Sequence, residues 1–269
     1  MTLYKCVATD VNEGLLEVVQ KAETVCKIQM RTGITPTSAV FKKGLLMSWL
    51  KHHNPSIADR AKAQEQFTLS CAGYSVAAYV LGIGDRHNDN IMVKTNGQMF
   101  HIGNLTISKS YILCNIISIT FYSFYKPLIL ILDFGHFLGN FKYKFGIRRE
   151  RVPILLSSEF IEVIKTDEFG RQRNFENFRN LCERAYLTLR RNGALLISLL
   201  AMMISTGLPE LSSEQDVNIV RSTLNLDRSE EEALENFKHE FDESLRNAWK
   251  ISLDWWFHMM NQTRTNRAT

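Results

Sequence analysis

The sequence predicts an α+β fold that is mostly helical, with a few short strands, and three stretches carry this prediction. Apolar residues recur at spacings of three and four from Phe175 to Leu189, which is typical of one face of a helix. The long segment from Ala58 to Leu81 becomes increasingly apolar, which indicates a helix that enters the core. Leu15 to Val19 is apolar and partly β-branched, as in a short strand.

Other segments extend the helical prediction. Ser56 with Asp59, and Ser229 with Glu232, have the spacing of helix capping boxes. The run from Ala194 to Ile204 is apolar nearly all round, which predicts a helix buried on every side. Further helices are predicted over three ranges: Ala22 to Gln29, Phe41 to Leu50, and Glu230 to Trp249.

Length and composition limit the classes of protein. The 269 residues suit one domain or one large lobe, and a net charge of +4 does not indicate a nucleic-acid binder. The five cysteines are odd in number, widely spread and without a CxxC pair, which favours a reducing compartment over a disulfide framework or a cysteine-based zinc site. The first residues contain no apolar stretch of the kind found in signal peptides.

The chemistry is concentrated in the loop from Gly82 to Val93, which follows the long helix. Asp85 and Asn90 have four residues between them, as in the catalytic loop of protein kinases. In that loop the aspartate orients the acceptor hydroxyl and the asparagine binds a magnesium ion. Downstream, Asp133 begins a DFG tripeptide, whose aspartate binds magnesium in kinases. The two motifs in this order predict phosphoryl transfer.

Together these stretches resemble class I phosphatidylinositol 3-kinases. GIGDRHNDNIMV and DFGHFLGNFKYKFGIRRERVP are similar to their catalytic and activation loops. The order Asp85-Arg86-His87 is typical of lipid kinases, whereas protein kinases read His-Arg-Asp. The similarity extends from about Tyr4 to about His258 and looks closest to the beta and delta catalytic subunits of class IA. It implies the C-terminal lobe of a protein-kinase-like fold.

The resemblance also implies roles for single residues, with ATP and Mg²⁺ as cofactors. Asp85, His87 and His136 are the expected catalytic residues, with His136 positioned to take a proton from an inositol hydroxyl. Asn90 and Asp133 would supply hard oxygen ligands for magnesium. The residues expected to bind the nucleotide are Tyr4, Glu17, Val19 and Met92.

Basic residues follow the DFG tripeptide at short spacing. A charge run is usually a solvated surface, but this one lies beside the expected acceptor site, where phosphates of a phosphatidylinositol 4,5-bisphosphate headgroup need cationic partners. The basic run disfavours a second reading, a protein kinase of the phosphatidylinositol-kinase-like group. The residues expected to bind the headgroup are Lys142, Lys144, Arg148, Arg149 and Arg151.

The organisation implied by the resemblance is a fragment. Residues 1–19 would be an N-lobe remnant and hinge, residues 20–265 the C-lobe, and 133–155 the activation loop. A glycine-rich loop and a strand lysine are not found, so little catalysis is expected from this chain. The full-length protein would bind a regulatory adaptor subunit and a small GTPase, and would be cytoplasmic and recruited to the plasma membrane. The alternative is a truncated, inactive product that binds only membrane or regulators.

The C-terminal stretch from Leu253 to Met260 admits two readings. Its aromatic residues lie near Arg264 and Arg267, which suits a helix at a membrane surface. Docking of the same side chains into the lobe core is the other reading, and the sequence leaves both open.

An insert separates the two magnesium-ligand motifs. Asn90 and Asp133 lie 43 positions apart, about 30 more than the kinase spacing. The excess corresponds to Gly103–Leu132, and our hypothesis is that this segment is translated intron. Codons for Gly103-Asn104 can contain a splice donor, those for Leu132-Asp133 can contain an acceptor, and joining them restores an aspartate codon. The other readings are a membrane span over Tyr111–Leu132, which Lys126-Pro127 would interrupt, and a genuine loop of unusual apolarity.

Transcript sequencing tests the intron hypothesis. If it is correct, a message lacking the 90 bases that encode residues 103–132 should be found, and it should encode HIDFGH. Retention of these bases in every message would contradict it.

Overall fold

A computed structural model describes most of the chain outside the insert. The described residues are 6–10, 13–31, 36–102, 138–139, 143–144, 147–148, 152–167, 169, 171–172, 175–206 and 211–265. Within them the chain forms an α+β lobe dominated by helices, as the sequence predicts. The insert and the DFG tripeptide lie outside the described residues.

The helices account for most of the described chain. They are α1 (Val25–Met30), α2 (Pro36–Ala39), α3 (Leu45–His53), α4 (Ile57–Val80), α5 (Ser158–Lys165), α6 (Glu176–Arg191), α7 (Gly193–Met203), α8 (Glu214–Thr223), α9 (Glu230–Arg246) and α10 (Ala248–Thr265), with a 3₁₀ turn at Ile204–Thr206.

The strands form three small antiparallel sheets. They are β1 (Cys6–Asp10), β2 (Glu13–Leu16), β3 (Ala22–Thr24), β4 (Ile91–Lys94), β5 (Met99–His101), β6 (Tyr143–Lys144) and β7 (Ile147–Arg148). The order is β1-β2, β3-β4-β5 and β6-β7. The three-stranded sheet matters most for the site, because its strand β4 directly follows the loop that contains Asp85 and Asn90.

Helix α4 is the central element of the lobe. It begins at the predicted cap, where the Ser56 hydroxyl accepts the Asp59 N–H at 3.0 Å. Its first half has exposed residues, and from Ser70 to Ala78 every residue is buried. Phe67 and Tyr74 are each 0% exposed, and burying a side chain of this size contributes ~1.5–3 kcal/mol. The helix therefore leads from the buried core directly to the loop that contains Asp85.

Helices α6 and α9 cover α4 with aromatic side chains. The predicted apolar face of α6 is confirmed, with Phe178, Cys182 and Tyr186 buried. The Tyr186 ring stacks on Phe237 of α9 with centroids 4.5 Å apart. The capping box predicted before α9 is also confirmed, because Ser229 and Glu232 exchange both hydrogen bonds.

Two predicted helices start later than expected. Of the predicted range Ala22–Gln29, the first three residues form β3, because they pair with β4 before the Thr24 hydroxyl caps α1 at the Lys27 N–H. The helix predicted from Phe41 begins at Leu45, after Gly44 adopts a left-handed φ of 81°. The buried Glu159 carboxylate then accepts the Leu46 N–H at 3.0 Å.

Three further boundaries differ from the prediction. The strand predicted over Leu15–Val19 ends at Leu16, whose pairing with Cys6 closes the β1–β2 ladder. The helix predicted to reach Trp249 ends at Arg246, because the Asn247 side chain bonds back to the Glu243 carbonyl at 2.8 Å. Helix α7 is not buried all round, since Met202 is 65% exposed.

The exposure of α7 gives a paired test of stability. Leu196→Ala should lower the free energy of unfolding by ~2–5 kcal/mol, because Leu196 is 1% exposed and its truncation leaves a cavity. The neighbouring Leu195→Ala should cost less than ~1 kcal/mol, because Leu195 is 47% exposed. Urea unfolding of both variants measures the difference, and equal losses would contradict the placement of this helix.

Candidate functional site

The loop after α4 begins with a turn in contact with a segment downstream of the DFG motif. Gly82 has a φ of 58°, a conformation that glycine adopts without strain. A Cβ on Gly82 would lie 2.7 Å from the Gly139 nitrogen. Leu138 and Gly139 donate their N–H groups to the carbonyls of Leu81 and Gly82, each at 3.1 Å. The chain after the insert therefore returns to the start of the catalytic loop.

Asp85 lies at the centre of the loop in an unusual conformation. It is 5% exposed and has a φ of 54°, which costs a non-glycine residue about 1–3 kcal/mol unless its surroundings hold it. The Asn90 amide nitrogen lies 3.0 Å from the Asp85 carbonyl and 3.2 Å from its carboxylate. Nε2 of the fully buried His101 lies 3.4 Å from the same carbonyl. These contacts fix the direction of the Asp85 side chain.

Asn90 is anchored by its own backbone. Its N–H donates to the His87 carbonyl at 3.0 Å, and its carbonyl accepts the Ile102 N–H at 2.7 Å. Because the amide nitrogen donates to Asp85, the side-chain oxygen is the atom that can bind a cation. An amide oxygen is a hard ligand that suits Mg²⁺, so Asn90 fits its predicted role. Its predicted partner, Asp133, lies outside the described residues.

Arg86 links the loop to two other parts of the lobe. Its guanidinium donates to the carbonyls of Val152 and Pro153, both at 2.8 Å. Its own carbonyl accepts the Trp255 indole N–H from α10 at 2.9 Å. Hydrogen bonds of Arg86 thus connect the loop both to the end of the predicted activation loop and to the C-terminal helix.

His87 is kept neutral by its surroundings. Its side chain is 14% exposed and lies 3.6 Å from the Asp85 carboxylate. Its ring stacks on His258 with centroids 3.6 Å apart and an angle of 13° between the planes. Burial lowers the pKa of His87 to about 3, helped by the nearby His258 and opposed by Asp85 and Asp89. A neutral imidazole can accept a proton or bind a metal.

Asp89 belongs to a second set of contacts, on α1 and α10. Its carboxylate lies 3.1 Å from Nε2 of His258. Burial raises the pKa of the Cys26 thiol, and a hydrogen bond with Asp89 raises it further. The Cys26 N–H donates to the Asn88 carbonyl at 3.0 Å. Helix α1 therefore supports the outer side of the loop.

Of the residues predicted to bind the nucleotide, the structure describes three. Met92 lies on β4 opposite Thr24, and it is half-buried between the fully buried Ile91 and Val93. Since alternate residues of a strand face opposite sides, Met92 faces away from the side that Ile91 and Val93 fill. Glu17 is exposed and Val19 half-exposed, in the segment between β2 and β3. Tyr4 lies outside the described residues.

The remaining predicted residues fall largely outside the described chain. Lys144 and Arg148 lie in the two-residue strands β6 and β7, where Tyr143 pairs with Arg148 and Lys144 with Ile147. The predicted site residues His136, Lys142, Arg149 and Arg151 lie outside the described residues.

The fold and the loop define an α+β lobe of the kinase type. A family profile described as phosphatidylinositol 3- and 4-kinase matches residues 1–213. Phosphatidylinositol 3-kinase 3 of Dictyostelium discoideum is 41% identical over 245 residues, which are 91% of this chain and 12% of that protein. Phosphatidylinositol 3-kinase 1 of the same organism is 41% identical over 242 residues, which are 90% of this chain and 13% of that protein.

The chain belongs to the phosphatidylinositol 3- and 4-kinase family of lipid kinases. The predicted resemblance is confirmed at this level, while the class IA, beta/delta-like assignment stays a prediction. The chain spans about an eighth of the length of these curated relatives. In the part of the chain that the structure describes, no helix is long and apolar enough to cross a membrane.

Sequence reasoning missed the residues that support the loop. The catalytic-loop motif assigns no role to Asp89, and His101 lies outside both motifs. Their contacts join residues 16 and 169 positions apart. The one available signal was composition, since a histidine in a short apolar strand indicates a buried partner.

Replacing His101 with an apolar residue should increase the local opening of the loop, and glutamine at the same position should largely prevent this. His101→Leu removes the contact with the Asp85 carbonyl and should speed amide exchange at Asn90 by roughly 2–10-fold, the equivalent of one hydrogen bond. His101→Gln, which keeps a donor, should stay nearer the parent. Hydrogen exchange measured by NMR decides this, with exposed His52 replaced by leucine as the control. Equal exchange in His101→Leu and the parent would show that this contact does not hold the loop.

Proposed function

We propose that this chain is the catalytic lobe of a phosphatidylinositol 3-kinase. The reaction transfers the γ-phosphate of ATP to the 3-hydroxyl of phosphatidylinositol 4,5-bisphosphate. The observation that carries the proposal is the coupling of Asp85 to Asn90, whose amide nitrogen bonds both the carbonyl and the carboxylate of Asp85. The names of the Dictyostelium relatives support this class of substrate.

The roles follow from what phosphoryl transfer requires. Because this chemistry rests on positioning and charge stabilisation, the rigid setting of Asp85 suits orientation of the acceptor hydroxyl. Magnesium would supply positive charge at the phosphates, held by the Asn90 oxygen and by Asp133. His136 would take the proton of the acceptor hydroxyl. His87, neutral and 3.6 Å from Asp85, would support the loop or contact the transferred phosphate.

The nucleotide and headgroup would lie on either side of these residues. Met92 would lie against the adenine, and the segment with Glu17 and Val19 would pair with its polar edge as the hinge, with Tyr4 at the back of the pocket. The basic residues of the activation loop would bind the headgroup phosphates. We assign that role to Lys142, Lys144, Arg148, Arg149 and Arg151.

Membrane attachment has support from the C-terminal helix. Trp255 is 2% exposed and docks on the loop, whereas Trp249 and Phe257 are 58% and 49% exposed. Lys250 lies over the Trp249 ring at 5.9 Å. An aromatic and basic surface of this kind suits a lipid interface. We therefore propose that the helix does both: one face docks on the lobe and the other contacts the membrane, to which the cytoplasmic protein is recruited.

A second function has its own support. Gly103–Leu132 separates the two motifs that would bind magnesium. A product of this form would bind membrane or regulators without catalysis. In the parent enzyme, other regions would bind an adaptor subunit and a small GTPase.

A lipid-kinase assay distinguishes the two functions and tests the substrate. Vesicles of phosphatidylinositol or its 4,5-bisphosphate are incubated with labelled ATP and the chain, with and without residues 103–132. Because little catalysis is expected from this chain, catalytic function predicts weak transfer by the form lacking 103–132 and the loss of that transfer in Asp85→Asn, which no longer orients the acceptor hydroxyl. No transfer by either form, with vesicle binding retained, would favour the non-enzymatic product.

The same assay addresses headgroup specificity. Replacing Lys142, Lys144 and Arg148 together with glutamine should lower turnover of the bisphosphate more than turnover of phosphatidylinositol, because only the former has the extra phosphates. An equal loss on both lipids would refute the headgroup assignment. Replacing the three exposed lysines Lys42, Lys43 and Lys62 with glutamine is the control for net charge.

A further inference from the structure

Three potential metal ligands meet where the catalytic loop contacts the C-terminal helix. Ligand atoms of His87, Asp89 and His258 all lie within 4.8 Å of one another. Two come from the loop and one from α10, 169 positions from Asp89. All three side chains are partly exposed, at 14%, 26% and 18% respectively. An ion can therefore reach the cluster from solvent.

Two of the three ligand atoms already lie at the distance expected for ligands of one metal ion. Nε2 of His258 lies 3.1 Å from the Asp89 carboxylate oxygen. Two ligands of one tetrahedral zinc ion, each about 2.0–2.1 Å from the metal, lie roughly 3.3 Å apart. The Nδ1 atom of His87 is buried and makes no hydrogen bond within the described part of the chain.

The ligand set indicates the kind of ion. Two imidazoles and one carboxylate suit Zn²⁺, whereas Mg²⁺ prefers oxygen ligands.

We propose that His87, Asp89 and His258 bind a zinc-class divalent cation, with water in the fourth position. The stacked rings are nearly parallel, at 13°, so one imidazole must rotate for the ion to lie in the plane of both. Rotation of the His87 ring leaves the spacing between His258 and Asp89 in place. The cation would join the catalytic loop and α10 through one centre.

Occupancy of the site has a consequence for catalysis. A zinc ion would hold an imidazole nitrogen of His87 and fix α10 against the loop. If the proposed phosphotransfer is correct, zinc should therefore inhibit it without competing with magnesium at Asn90. This consequence rests on the proposed function, whereas the binding of the ion does not.

Metal titration of the purified, chelator-treated chain tests the site without nucleotide or lipid. Zn²⁺ is titrated against a chromophoric chelator, and Co²⁺ serves as a spectroscopic probe. We expect one ion per chain and tetrahedral Co²⁺ bands that His258→Gln weakens. His258→Gln and Asp89→Asn should each weaken zinc binding by at least roughly 10-fold, as loss of a ligand requires.

The matched control is the other adjacent histidine pair. His52 and His53 are both exposed, with ring centroids 5.1 Å apart, and replacing both with glutamine should leave zinc affinity unchanged. Circular dichroism confirms that each variant is folded, and a misfolded Asp89→Asn is replaced by Asp89→Glu, which should retain binding. Unchanged affinity in folded His258→Gln, or loss of binding in the His52/His53 control, would overturn the proposal.

Discussion

The conformation of the loop after α4 depends on how the carbonyl of Asp85 is held. A left-handed aspartate is costly on its own, and here Asn90 and His101 both lie within bonding distance of its carbonyl oxygen. Asn90 is the next motif residue, while His101 ends β5, so the register of β4 with β5 determines the geometry at Asp85. The β4–β5 hairpin that follows the loop therefore helps to determine the conformation of the loop.

The loop is also fixed from three directions by separate elements. Arg86 bonds the carbonyls of Val152 and Pro153, Trp255 bonds the Arg86 carbonyl, and α1 donates to the Asn88 carbonyl. Most of these contacts involve buried backbone oxygens, which are costly to leave without a partner. A loop held in this way needs little rearrangement to orient a reacting group, which is what phosphoryl transfer asks of a protein.

Interactions between residues close in the chain could be predicted from the sequence, whereas interactions between distant residues could not. Caps at Ser56 and Ser229 were predictable because the partners lie three residues apart, and the face of α6 was predictable from periodicity. The exposure of α7 was not, because composition does not say which neighbours cover a helix. In the site, the Asp85–Asn90 spacing identified the motif, but the role of His101 required the strand register. The alignment of Asp89 with His258 required the docking of α10.

The loop presents two different chemistries on its two sides. Asp85 and Asn90 bond each other and carry hard oxygen atoms, whereas Asn88 and Asp89 contact α1 and α10. The Asn88 side-chain amide donates a hydrogen bond to Gln29, so this residue binds the side of the loop that faces α1. His87 belongs to both sides, because it lies 3.6 Å from Asp85 and stacks on His258. A change at the C-terminal helix can therefore reach the residues proposed for phosphotransfer through a single imidazole ring.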